Sequence, residues 1–244
     1  MTAPTTPTAP LTPKARQTRK AILDATLRLF AAKGFQAATM RDIAAEAGCS
    51  LGLAYRYFAR KEDLVLALYE RLAHELEEEV AALPPAPLAE RFEQALRADL
   101  GRIAPYRNAF AALFGVAMTP GSDVAVLGER VADVRARVRN VFLSVVTGAT
   151  DAPRPRQADD LATLLYAAHL GVVLFWLQDN SPGQRTTNDL LVFARDLMSR
   201  FRPALRLPPV AKSLARMAVI IGPMFGGRAA ADSATSPENE TPSG

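Results

Sequence analysis

The chain has 244 residues, 49% hydrophobic and 22% charged, enough to bury a substantial core in one helical domain or in a small domain joined to a larger one. The single cysteine, Cys49, excludes an intrachain disulfide, suits a reducing compartment and reads as a small buried apolar residue. The net charge of +4 is unevenly spread: residues 1–73 hold eleven Lys/Arg against six Asp/Glu, while residues 74–100 hold two against seven, so an anionic partner is expected at the N-terminal end.

The opening MTAPTTPTAPLTP lacks an apolar run, which excludes a secretory signal, and its Pro/Thr/Ala content predicts a disordered tail over 1–13. Residues 14–33 follow as a first helix, with Ile22, Thr26, Leu29 and Phe30 at helical spacing and Gly34 as its stop. Thr39 is a plausible N-cap with Asp42 three positions on, a capping-box pattern with Asp in place of Glu. Met40, Ile43, Ala44 and Ala47 then make one narrow apolar stripe on a two-turn helix that Gly48 stops, and Ser50 can cap another. Short helix, glycine turn, short helix is the helix-turn-helix pattern.

A further helix runs from Lys61 to about Ala82, with Leu64, Leu68, Leu72 and Leu76 four apart, and Pro84, Pro85 and Pro87 end it. Beyond lie predicted helices over 87–103, 106–118, 122–148, 157–180, 186–202 and 209–225, the last interrupted by Gly222 and Pro223, before a small polar tail over 226–244 read as disordered. The apolar run 161–177 is short for a membrane span and carries Thr163, Tyr166 and His169, so it is read as a buried or interface helix. No strand pattern competes, and the fold class is all-α: a helix-turn-helix domain over 14–60 and a larger helical domain over 61–225.

The stretch GCSLGLAYRYFARKEDL carries the chemistry. With Ser50 as cap, Leu51, Gly52 and Leu53 form the exposed N-terminal tip of a helix whose Ala54 and Phe58, four apart, face inward. Such a tip enters the major groove of DNA, where the helix dipole is positive and a residue without a side chain lets the backbone approach. Leu51 and Leu53 offer apolar contact to thymine methyls, Tyr55 and Tyr57 end in hydroxyls that reach phosphates, and Arg56 takes either a phosphate or a guanine edge. Lys61 adds a phosphate partner; Arg16, Arg19 and Lys20 are either an arm reaching DNA or a solvated helix start.

Residues 18–70 resemble the DNA-binding domain of the TetR family of bacterial transcriptional regulators, at Phe30, Gly34, Thr39, Ile43, Ala44, Gly48, Ser50, Gly52, Tyr55, Phe58, Lys61 and Leu64. The resemblance implies that Thr39 touches a phosphate, that Leu51, Gly52 and Leu53 face bases, and that Tyr55, Tyr57 and Lys61 grip the backbone. The chain departs at Leu53 (often Thr), Ala54 (usually Leu, thinning the core), Tyr57 (commonly His) and Arg60 (often Ser, so the next helix loses its expected cap). It also implies a helical domain that binds a small molecule and dimerises through its last two long helices. Phe175, Trp176 and Leu177 with Phe193, Leu197 and Met198 then form either the intersubunit seam or an internal core. Tyr106, Phe110, Phe114 and Met118 share a helical face, and Phe142, Tyr166 and His169 are candidates to meet them around an effector. No charge cluster marks an anionic ligand, and His74 among Glu75, Glu77 and Glu78 reads as a solvated face, so neither metal nor cofactor is expected.

The expected function is a cytoplasmic, homodimeric repressor on a palindromic double-stranded DNA operator, released by a small apolar or aromatic effector, with no membrane partner. An enzyme is disfavoured because no nucleophile, base and orienting group assemble. A helical adaptor that binds only protein is the alternative.

Overall fold

The computed structural model describes residues 12–119 and 121–227. The disorder expected of 1–13 and 226–244 therefore lies mostly outside the described residues; Pro13, expected in the tail, opens the first helix. Among the described residues there are ten α-helices and no strand: α1 Pro13–Ala37, α2 Met40–Glu46, α3 Leu51–Tyr57, α4 Lys61–Ala81, α5 Leu88–Ile103, α6 Arg107–Ala117, α7 Ala132–Thr147, α8 Pro155–Gln178, α9 Arg185–Phe201 and α10 Pro208–Phe225. They form two compact units, one of residues up to Leu68 with Tyr106–Ala117, the other of Tyr69–Pro105 with the chain from Met118.

In the first unit, α1 packs on α6 and α2, and α2 on α3. Ile22, Leu23, Leu27, Phe30 and Ile43 are buried together with Ala54, Phe58, Leu64 and Leu68. Phe30 meets Phe35 edge to face, ring centroids 5.4 Å apart, and the Arg19 guanidinium lies 5.3 Å over the Phe58 ring. Gly34 breaks α1 with φ +78°, a left-handed conformation that a side chain would strain, and one more turn follows it.

In the second unit, α8 packs on α7 and α10, and α5 on α9. Its interior holds Phe92, Leu96, Leu100, Phe142, Val145, Leu161, Leu165, Trp176 and Leu191. Carboxylates set several of its corners. Asp151 accepts from the Leu88 N–H at 2.8 Å, capping α5, and pairs with Arg202, Nε at 2.7 Å. Asp179 ends α8 and starts α9 by accepting from Ser181 Oγ (2.6 Å) and from both the Thr187 N–H (2.8 Å) and hydroxyl (2.6 Å). Those bonds, Ser181 first, hold its carboxyl well below the usual carboxylate range.

Two expectations change. The helix expected over 122–148 begins only at Ala132, because 122–128 runs through successive turns and a short 3-10 turn, Glu129–Val131, leads into it. The start of α4 does have a cap: the Asp63 carboxylate accepts from the Arg60 N–H at 3.0 Å, serving from inside the helix where Arg60 replaces a capping residue. The 209–225 segment is a helix through its interior Pro223, and its Phe225 packs on Tyr166. By length and composition α8 alone among the described helices is apolar enough to cross a membrane, yet half of its most apolar window is buried.

Candidate nucleic-acid interface

Two caps define the α2–α3 region. The Asp42 N–H donates to Thr39 Oγ1 (3.2 Å) and the Thr39 N–H to Asp42 Oδ2 (3.1 Å), a complete capping box. Those bonds to Thr39, backbone first and aided by Lys33 at 3.5 Å, hold the Asp42 carboxyl below its ordinary value. An ion pair between Arg28 and Glu46, 2.8 Å, ties α2 to α1. Gly48 takes φ +66° in the turn, where a side chain would be strained, and Cys49 beside it is half-buried rather than buried. Ser50 then caps α3, its hydroxyl accepting from the Leu53 N–H at 3.2 Å.

α3 has two faces. Ala54 and the following Phe58 are buried, while Gly52, Tyr55 and Arg56 are exposed, Tyr55 at 48%. Leu51, Leu53 and Tyr57 are half-buried along the edges. A Cβ built on Gly52 would meet nothing within 4 Å, so the tip is open to a large neighbour. Thr39 and Ser50 are exposed, with hydroxyl protons left after their oxygens have accepted the cap bonds.

Lys61, read from the sequence as a phosphate grip, has partners within the protein. Its ammonium donates to the carbonyls of Phe35 (2.6 Å), Ala38 (3.1 Å) and Gln36 (3.2 Å), and sits 4.3 Å over the Phe35 ring. Its three N–H donors close the frayed end of α1, a role visible only once residues 23 to 26 positions apart meet.

The effector candidates divide. Phe142, Tyr166 and His169 come together in the second unit, Phe142 lying 6.1 Å from Tyr166 and 5.0 Å from His169. Phe92 and Phe225, which the sequence did not single out, join them. Tyr106, Phe110 and Phe114 belong to the first unit, and Met118 to the second, half exposed. His169 donates or accepts through Nε2 at 2.7 Å from Asp99, whose other oxygen pairs with Arg102. Burial raises the Asp99 carboxyl, but the His169 bond and the charges of His169 and Arg102 outweigh it and hold it below its ordinary value. An open groove along α10, lined by Pro209, Val210, Leu214 and Met217, touches none of the candidates.

Of the candidate seam, Phe175, Phe193 and Leu197 are exposed, Phe193 at 61%, and Met198 is half-buried. Trp176 and Leu177 are not available to a seam: Trp176, 1% exposed, faces the core and donates its indole N–H to Gln184 at 2.7 Å. Leu174, Val192 and Phe201 are exposed on the same two helices and were missed, Phe201 lying one turn beyond Leu197. Among the described residues no group of His, Cys, Asp and Glu is placed to hold a metal ion, and His74 is a solvated residue beside Glu77 and Glu78.

Comparison with known proteins follows this geometry. Residues 22–68 match the family model described as bacterial regulatory proteins, tetR family, and residues 91–199 match a tetracyclin repressor-like C-terminal domain. The chain is 40% identical over 73 residues to the transcriptional regulator BetI of Rhizobium meliloti, 30% of this chain and 36% of that one. It is 31% identical over 149 residues to an HTH-type transcriptional repressor of Mycobacterium tuberculosis, covering 61% of this chain and 65% of the relative. The matches thus span about a third of BetI and just under two thirds of the mycobacterial protein. Among solved structures, a tetR-family regulator from Streptomyces coelicolor aligns over 84% of this chain and 89% of its own, with TM-score 0.57 at 20% identity. FadR from Bacillus subtilis, in complex with stearoyl-CoA, aligns over 72% and 96%, with TM-score 0.56 at 16% identity. Those two likenesses speak to the fold.

Proposed function

Because the chain belongs to the tetR family of bacterial regulatory proteins, we propose that it is a cytoplasmic, homodimeric transcriptional repressor that reads a palindromic DNA operator with α3 and is released by a small-molecule effector. One observation carries this reading: Ala54 of α3 and the following Phe58 are buried, while Gly52 is exposed in the first turn of α3, where its backbone N–H groups point, and Tyr55 and Arg56 are exposed in its last turn. Leu51, Gly52 and Leu53 face the bases; Tyr55, Tyr57 and Thr39 hold phosphates on either side, and Arg56 reaches a phosphate or a guanine. Lys61 serves the interface indirectly, by fixing the end of α1. The exposed Phe175, Phe193, Leu197 and Phe201 supply the self-association surface.

Two copies of α3 read half-sites about one helical turn, roughly 34–36 Å, apart, so an effector that favours another separation weakens DNA binding. By linkage the operator weakens effector binding by the same factor. The repressor reading is supported by the name of the mycobacterial relative, and a small-molecule effector by the acyl-CoA bound in the B. subtilis FadR fold. Family membership removes the enzyme reading.

The test is selection from a random duplex pool followed by fluorescence anisotropy on the recovered sequence. A two-fold symmetric site whose affinity falls steeply with salt is expected. Absence of saturable duplex binding, with intact helical content, would leave the protein-only adaptor instead.

A further inference from the structure

The start of α1 gathers positive charge: Lys14, Arg16, Arg19 and Lys20 fall within one short stretch, and over residues 14–24 these four cations accompany a single acid, Asp24. Lys14, Arg16 and Lys20 are exposed. Lys20 meets Asp24 at 2.9 Å across one turn, with 68% of the lysine side chain still in solvent. An ion pair so exposed gives little stability and yields readily to another anion. Farther along α1 the charges are balanced by α2, where Glu46 meets Arg28 and Asp42 meets Lys33. A solvated patch of one sign is the electrostatic footprint of an oppositely charged partner.

Arg19 fixes where this patch stands. It is half-buried, and its guanidinium lies 5.3 Å over the ring of Phe58, the residue that ends α3. Arg16 precedes Arg19 by three residues and Lys20 follows Arg16 by four, so the three side chains leave α1 on one side. The cations therefore stand beside the last turn of α3, where Tyr55 and Arg56 are exposed. Seven residues give α3 a length of about 10 Å, against a major groove about 12 Å wide. With the Gly52 tip among the bases, whatever adjoins the other end of α3 stands at the rim of the groove, where the phosphates run.

We infer that the start of α1 is a second arm of the duplex interface, in which Arg16 and Lys20 bind phosphates at the rim of the groove that α3 reads, while the contact of Arg19 with Phe58 holds the arm in place. The inference rests on the regulator reading and enlarges its footprint. Lys61, the cation that the sequence offered for the backbone, is committed to carbonyls, and α1 supplies positive charge in its stead. Long, exposed cations on a solvated helix side attract charge without reading a base edge. The arm therefore adds affinity and fixes the protein's seat on the duplex, and it carries no base preference of its own.

The test is anisotropy of the full chain on its selected duplex over a range of salt. Each phosphate neutralised adds about 0.9 to the slope of log affinity against log salt, so Arg16→Gln and Lys20→Gln, each present in both copies, should each lower the slope by about 1.8. Arg16→Lys keeps the charge and should keep the slope. The loss should be the same on duplexes with altered bases, since a phosphate contact weakens binding uniformly across sequences. Single neutral methylphosphonates walked along the duplex should reveal positions that weaken the unaltered chain and leave the double variant unaffected. Both side chains are exposed, so melting temperatures should not move. The inference is overturned if folded variants keep the slope, or if their losses change with base sequence. Variants that keep the slope on duplex but lose affinity for polyglutamate would overturn it in favour of an acidic protein partner. Saturable duplex binding with an unchanged slope is the failure of this inference alone; no saturable binding by the unaltered chain is the failure of the regulator reading, and the inference falls with it.

Discussion

Lys61 separates two roles that the same residue can play, and Lys61→Met distinguishes them. Methionine keeps an unbranched stem over the Phe35 ring but removes the donors to the carbonyls of Phe35, Gln36 and Ala38. Hydrogen bonds from a charged donor contribute about 1.5–3 kcal/mol net, and water can reach the exposed Gln36, so a loss of about 2 kcal/mol is expected in all. For a chain of this size each kcal/mol moves the melting temperature by about 2–4 °C, which gives a drop of about 4–8 °C by circular dichroism. A phosphate contact would show elsewhere. Each phosphate neutralised adds about 0.9 to the slope of log affinity against log salt, so a grip made in both copies would cost about 1.8 of that slope when removed. With the ammonium spent on carbonyls, the slope is expected to stay as it is. An unchanged melt with a slope lowered by about 1.8 would refute the capping role and restore the grip.

Tyr55→Phe removes one exposed hydroxyl and should leave the melt unchanged while weakening duplex binding by about 2 kcal/mol per dimer, at about 1 kcal/mol for each lost bond, as read by anisotropy. Asp99→Ala leaves the buried His169 without its carboxylate, while the half-buried Arg102 keeps Glu75 and Glu79, and should destabilise the second unit by about 1–3 kcal/mol in urea unfolding. The sign with pH follows from the lowered carboxyl of Asp99. Its contribution is present above the unfolded value of 3.8 and is lost as pH falls through the lower folded value, so the variant's stability should depend less on pH there than the wild type's. Phe193→Glu puts a charge on an exposed apolar stripe and should shift the chain to monomer in light scattering without loss of helix; a dimer that persists would remove α9 from the seam.

Helices α1 to α3 were legible in the sequence because their signals are local, whereas nothing local announced that Tyr106–Ala117, read as part of the larger domain, packs on α1. Caps at Thr39 and Ser50, the turn at Gly48 and the spacing of Ile43, Ala54 and Phe58 all act within a few residues and act alike in chain and fold. The second unit was legible only as helices. Asp99 and His169 stand 70 positions apart, and nothing local to either announces the pair. Arg135 was invisible for a related reason: an arginine on a helix is ordinarily solvated, so its burial with Arg139 follows only from the packing of α7 on α8. Trp176 was misplaced because an apolar helix packed on two sides gives no period from which to tell the inner face from the outer. The late start of α7 reflects the turn series 122–128, whose short i to i−3 bonds mimic helical spacing without continuing it.

Asp151 joins stretches that lie 63 and 51 positions from it, the start of α5 and the segment just after α9. Gln157 adds a second hold on that segment by donating to the Leu205 carbonyl at 2.8 Å. The backbone is therefore fastened immediately upstream of α10, while that helix keeps Met217, Ile220 and Met224 bare along its length. Held at that end, and at the other by Phe225 against Tyr166, α10 is expected to keep the amides of both its ends protected from exchange, despite its bare outer face.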